Sequence, residues 1–161
     1  MTRTRLPLLV LLTAACLFLG PAVARADVTA FWGLSPTPTT RAARGVSFGI
    51  NLLVVGFEFE YANTAELLAD AAPGLTTGMI NGLIQTPTSK TQFYLTAGGG
   101  FYRERLATDA LTSFGTNIGG GIKMGLAGPL RLRLDYRVFT LRGTPLHKTP
   151  QRLYAGLNLA F

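Results

Sequence analysis

The 161 residues leave room for one domain. Their formal charge of +7 overstates the exported chain: Arg3, Arg5 and Arg25 lie in a leader that holds no acid, so removing it takes +7 to +4. The single cysteine, Cys16, sits in the same leader, which excludes disulfides and thiolate metal sites as supports for the exported chain.

The leader has three parts. Thr2-Arg3-Thr4-Arg5 is a basic start, Leu6 to Gly20 is apolar, and Ala24-Arg25-Ala26 is a small-residue cleavage box. This is the plan of a secretory signal peptide. Residues 1–26 are therefore expected to be removed before Asp27, leaving 27–161 as the folded domain. The Thr13-Ala14-Ala15 triplet before Cys16 loosely fits a lipoprotein box, but the apolar run continues through Leu17-Phe18-Leu19 and favours the later cut. A membrane helix needs about 18 or more apolar residues, and no stretch supplies them. Any membrane location must then use a closed barrel, which satisfies every backbone hydrogen bond.

From Val28 onward the pattern has a period of two. Strands are expected at 28–34, 46–52, 55–61, 77–86, 92–102, 114–124, 130–138 and 151–161. Eight is an even number, and about 10 residues each suits a tilted membrane strand. The reading is an all-β fold, an eight-stranded antiparallel up-and-down transmembrane β-barrel. Connections are expected to alternate strictly: long at Ser35–Arg44, Ala62–Thr76, Glu104–Thr112 and Arg142–Pro150, and short at Leu53-Val54, Pro87–Lys90 and Ala127–Pro129. Long outer loops and short periplasmic turns have this asymmetry. Within the second long connection, Thr64 is a candidate N-cap for a short helix that Pro73-Gly74 would end, with an irregular loop as the equal alternative.

Composition assigns the faces. A soluble barrel would clothe its outer face in Lys, Glu and Asp, whereas here the non-apolar face is mostly Gly, Asn, Ser, Thr, Gln and Tyr. That face suits a cramped lumen. The charges Glu58, Glu60, Lys123, Arg131, Arg133, Asp135, Arg137 and Arg152 all fall on it. Buried charge must be compensated, so an ion-pair network is expected to join Glu58 and Glu60 to Arg131 and Arg133 across the lumen, with Asp135 compensating locally. The alternative use of such a network is a gate in a narrow ion path. The runs Gly98-Gly99-Gly100 and Gly119-Gly120-Gly121 are read as room for Tyr94, Tyr102 and Tyr154, not as a nucleotide loop. Trp32, Tyr61, Phe101 and Phe114 are expected in one interfacial aromatic girdle and Phe93 and Phe161 in the opposite one.

The small-residue box Ala24-Arg25-Ala26, the glycine-bearing strand Tyr94–Tyr102, the segment Leu132-Arg133-Leu134-Asp135-Tyr136-Arg137 and the terminal strand Tyr154–Phe161 together resemble the small outer-membrane barrels of the OmpA-transmembrane-domain, OmpX and opacity-protein type. The resemblance covers the whole exported chain and implies an outer-membrane location in a Gram-negative-type bacterium. It also implies that the final strand, with Phe161, is the signal read by the barrel-assembly machinery during biogenesis. No further domain is expected after Phe161.

The expected role is structural or surface-interactive, through envelope integrity, adhesion or lipopolysaccharide contact, in a monomer without cofactor, metal or nucleic-acid partner. The basic positions Arg41, Arg44, Arg103, Arg105, Arg142 and Lys148 are candidates for lipopolysaccharide phosphates. A narrow channel is the alternative. A lipid A-modifying enzyme is less favoured, since the sole histidine, His147, has Thr149 where a His-x-Ser arrangement would place a serine. One histidine and scattered acids likewise make no metal cluster.

Overall fold

A computed structural model describes residues 24–87 and 89–161. The rest of the expected signal peptide, residues 1–23, lies outside them. Eight antiparallel strands form a closed barrel in chain order: β1 (Ala24–Ser35), β2 (Arg41–Leu52), β3 (Val55–Thr64), β4 (Gly74–Gln85), β5 (Thr91–Leu106), β6 (Asp109–Ala127), β7 (Leu130–Leu141) and β8 (Gln151–Ala160). β8 returns to β1 with Asp27 opposite Ala160 and Leu34 opposite Leu153. The expected cleavage box is part of this closure. Ala24, Arg25 and Ala26 pair with Leu52, Asn51 and Ile50, and Ala26 exchanges two backbone hydrogen bonds of 2.9 Å with Phe161.

The stagger of the ladder follows from the registers. Stepping from Ala24 through Leu52, Val55, Ile84, Leu95, Gly120, Tyr136 and Leu153 returns to β1 at Leu34, ten residues further on. Eight strands with that stagger tilt by about 40° and enclose a space that side chains fill.

The strands outrun their expected lengths at one end. β5 and β6 are 16 and 19 residues long, and only Ala107-Thr108 joins them. The expected long loop Glu104–Thr112 is therefore a strand hairpin. The strict alternation of long and short connections does not hold. Polar residues of the hairpin keep period-two pairing down to Leu106 opposite Asp109, which a hydrophobic pattern could not reveal. The expected helix is also corrected. Thr64 ends β3 rather than capping, and the segment makes only a 3-10 turn, Leu68–Asp70, flanked by a bridge between Leu67 and Ala72. Two turns of isolated helix lack the length to hold themselves.

The alternation of faces is as expected. Phe48, Ile50, Phe57, Phe59, Ile80, Ile84, Leu95, Ile118 and Leu157 point outward and are exposed, up to 70% for Ile84 and Leu95. Glu58, Glu60, Lys123, Arg133, Asp135, Arg137 and Arg152 point inward and are buried, whereas Arg131 on the same face is only half-buried.

Candidate functional site: a charged lumen and a latched loop end

The barrel has a turn end, where Leu53-Val54, Thr86–Lys90 and Gly128-Pro129 connect strands, and a loop end, where 36–40, 65–73 and 142–150 do. Near the turn end Lys123 of β6 pairs with Asp27 of β1 at 2.7 Å, and the Asn51 amide donates to the same carboxylate at 2.9 Å. Nothing local in the sequence marks Asp27 as this partner: it stands directly after the expected cleavage box, 96 positions from Lys123.

Deeper in, Glu58 of β3 accepts from two arginines of β7. Arg133 chelates its carboxylate, and Arg137 Nη2 donates at 2.7 Å. Asp135, between them on the same strand, accepts from Arg133 at 3.1 Å, from Arg137 Nε at 2.9 Å and from the Tyr94 hydroxyl. The Tyr94 oxygen in turn accepts from Arg133 Nε at 2.7 Å. Glu60 pairs with Arg152 of β8 and lies 3.0 Å from Arg137 Nη1, a contact too poorly aligned to count as a hydrogen bond. Arg133 and Arg137 are 0% exposed.

The acids Asp27, Glu58, Glu60 and Asp135 thus balance the bases Lys123, Arg133, Arg137 and Arg152. Neutrality is what allows so many charges to share one lumen. One expected member is elsewhere: Arg131 is in no ion pair among the described residues and reaches Gln92 at 3.3 Å, half-buried towards the turn end. Arg137 takes the position assigned to it.

Aromatic side chains close the lumen above the charges. Phe31 stacks on Tyr154 with centroids 4.0 Å apart, and the Arg152 guanidinium lies 5.3 Å from the Phe31 ring and 4.9 Å from that of Phe139. Leu75, Met79, Tyr102, Phe139 and Leu141 complete an apolar layer towards the loop end. Glycines make the room, though not all where expected. A Cβ on Gly121 would stand 2.5 Å from the Tyr94 hydroxyl, whereas Tyr154 is accommodated by Gly33 and the Gly98 position is filled by Asn81.

The loop end is tied down by two buried charges whose roles the sequence did not disclose. Arg41, read as a loop cation for phosphate, turns inward and donates to the carbonyls of Thr37, Ala65 and Pro73, joining the first two loops. Glu104 accepts the Leu146 amide of the last loop at 3.0 Å, and the Tyr102 hydroxyl donates to Arg142 O at 2.5 Å. Glu66 accepts the Ala107 amide at 2.6 Å and so clips the second loop to the β5–β6 hairpin. Arg41→Ala is expected to leave barrel formation intact while added protease cuts the 65–73 loop several-fold faster, because three carbonyls lose their shared donor. An unchanged cleavage rate would remove the latch role.

The remaining sequence candidates lie outside the lumen. Trp32, Tyr61, Phe101 and Phe114 are exposed on the outer wall towards the loop end, the last two in an edge-to-face pair 6.0 Å apart. Phe93 and Phe161 are exposed towards the turn end. Arg44, Arg103, Arg105, Arg142 and Lys148 are exposed, and His147 lies half-buried in the last loop. Among the described residues no group of three or more His, Cys, Asp or Glu is placed to hold a metal ion.

Solved structures share this architecture. The N-terminal β-barrel domain of Pseudomonas aeruginosa OprF superposes with a TM-score of 0.65 at 17% identity, over 85% of this chain and 97% of that one. Neisserial surface protein A gives 0.65 at 18% identity, over 86% and 96%. The outer-membrane enzyme PagL gives 0.55 at 12% identity, over 83% and 98%. The fold is that of the small eight-stranded outer-membrane barrels. No family model and no curated protein matches the chain. At these identities the likeness carries the fold and not an activity.

Proposed function

We propose that the chain is an outer-membrane β-barrel with its turn end in the periplasm, its lumen plugged by the ion-pair network, and a structural or surface-interactive role at the loop end. That role includes contact with lipopolysaccharide. The carrying observation is the inversion of the usual distribution: outward side chains of every strand form an apolar belt, while eight paired charges are buried inside. A hydrocarbon surroundings stabilises such a wall and water does not. The aromatic positions at both edges of the belt support the same reading. Phe161, at the seam with Ala26, is the residue we assign to recognition by the assembly machinery.

The protein is read as non-catalytic and monomeric. His147 has no serine two residues on, because Thr149 stands there. A competing channel reading makes a different prediction. Refolded protein in planar bilayers is expected to give no discrete openings, because Arg133, Arg137, Phe31 and Met79 fill the cross-section. Regular single-channel steps would reverse that conclusion. Outer-membrane fractionation and heat-modifiable migration in detergent gels test the location, and recovery in a detergent-free soluble fraction would overturn it.

A further inference from the structure

The outer wall carries a polar diagonal just above its apolar belt. Arg44 of β2, Asn63 of β3, Thr76 of β4 and Arg103 of β5 are successive ladder partners, and all point outward. Three strand spacings separate the two arginines, about 14 Å at 4.8 Å each. Because the strands tilt by about 40°, the row climbs by about 3 Å per strand, so Arg103 stands about 9 Å nearer the loop end. Arg105, its side chain 63% exposed, continues the climb and is only loosely engaged by Glu66 at 3.5 Å. Arg44 and Arg103 are in no ion pair among the described residues. A cleft of about 220 Å³ lies against Asn63, Thr76, Arg103 and Arg105, with the Glu66 carboxylate also on its wall beside Arg105.

Beneath the diagonal the aromatic row is broken. Tyr61, Gly78, Phe101 and Phe114 are consecutive ladder partners, and nothing lies within 4 Å of where a Cβ on Gly78 would stand. Gly82, four residues further along the same face, is nearly as open, with Ala97 as its partner on β5. The outer wall of β4 is therefore notched at Gly78, directly below the polar cleft, and again at Gly82, with the exposed Ile80 standing between the two notches.

We propose that this face of β2–β5 is a seat for one lipopolysaccharide molecule, its phosphorylated sugar head along the Arg44–Arg103 diagonal and one acyl chain through the Gly78 gap. The proposal rests on the outer-membrane reading above. Guanidinium groups bind phosphate by paired hydrogen bonds, most strongly at the edge of a low-dielectric layer. An ordinary phospholipid has one phosphate and cannot engage both arginines, whereas a diphosphorylated disaccharide with an anionic sugar core can follow the whole diagonal. Asn63 and Thr76, bonded to each other at 3.0 Å, present amide and hydroxyl groups to the sugars between.

Native mass spectrometry of the detergent-purified protein, titrated with diphosphoryl lipid A, monophosphoryl lipid A and phosphatidylglycerol, tests this. One molecule of diphosphoryl lipid A is expected to bind before either competitor. The Arg44→Gln/Arg103→Gln variant is expected to bind it at least about tenfold more weakly, the loss of charge-assisted bonds to two phosphates. Gly78→Phe, which fills the gap with a side chain facing outward, should weaken lipid A binding while heat-modifiable migration persists. Equal binding of phosphatidylglycerol, or unchanged lipid A affinity in the double arginine variant, would overturn the seat. If the protein fractionates with outer membranes yet shows no lipid A preference, only the seat fails. If it prefers lipid A but fractionates elsewhere, only the location fails.

Discussion

Replacing Glu58 by Gln is expected to lower the stability of the folded barrel by about 3–5 kcal/mol, the size of effect seen when one partner of a buried ion pair is removed. Glu58 pairs with both Arg133 and Arg137 from across the lumen, and its side chain is only 1% exposed. The substitution preserves volume, so the loss reports charge rather than packing. It turns a neutral set of charges into one with an excess cation in a space that side chains fill. Urea unfolding of the micelle-bound protein measures it. A matched double variant, Glu58→Leu with Arg133→Met, removes opposite charges together and should be much less destabilised than the sum of the single changes. Asp135 retains Arg137 in that variant, so no acid is stranded. A loss below about 1 kcal/mol for Glu58→Gln, the range of exposed ion pairs, would mean that the lumen is wet and the network is no plug.

A second large effect is expected at the seam. Gly33 of β1 faces Tyr154 of β8, and a Cβ there would stand 2.1 Å from the Leu153 carbonyl oxygen and 2.6 Å from the Tyr154 Cα. Those are backbone atoms of the strand that closes the barrel, so no rotamer relieves the clash. Gly33→Val should cost more than about 3 kcal/mol, beyond the usual range for overpacking, and abolish the compact, heat-modifiable form. Gly78→Val is the control, because its side chain would project into open space outside the wall. Equal tolerance of both substitutions would show that β1 and β8 are not held at this spacing.

Much of this architecture is legible before any coordinates. Strand number and the inward and outward sets follow from period-two alternation, a local property of pleated backbone that each segment displays by itself. Inward placement of Glu58, Glu60, Lys123, Arg133, Asp135, Arg137 and Arg152 follows the same way. Hydrophobic patterning failed where residues are polar on both faces. It could not distinguish the Leu106–Asp109 hairpin from a loop, nor see that Arg41 and Glu104 turn inward to hold the loops.

Alternation tells which wall a side chain faces but not how high it stands. Arg131 and Arg137 share one face of β7 six residues apart, about 20 Å of strand, and no local signal chooses between them as partners for the acids. The ten-residue stagger decides. It sets Arg131 low beside Gln92 and brings Arg133 and Arg137 level with Glu58 and Glu60. The same stagger makes Asp27 the partner of Lys123, 96 positions away, and turns four scattered outward residues into the diagonal from Arg44 to Arg103. Barrel class and the polarity of each face are written along the chain, because both rest on neighbours two residues apart. Which charges meet depends instead on closure, tilt and stagger, which belong to all eight strands together.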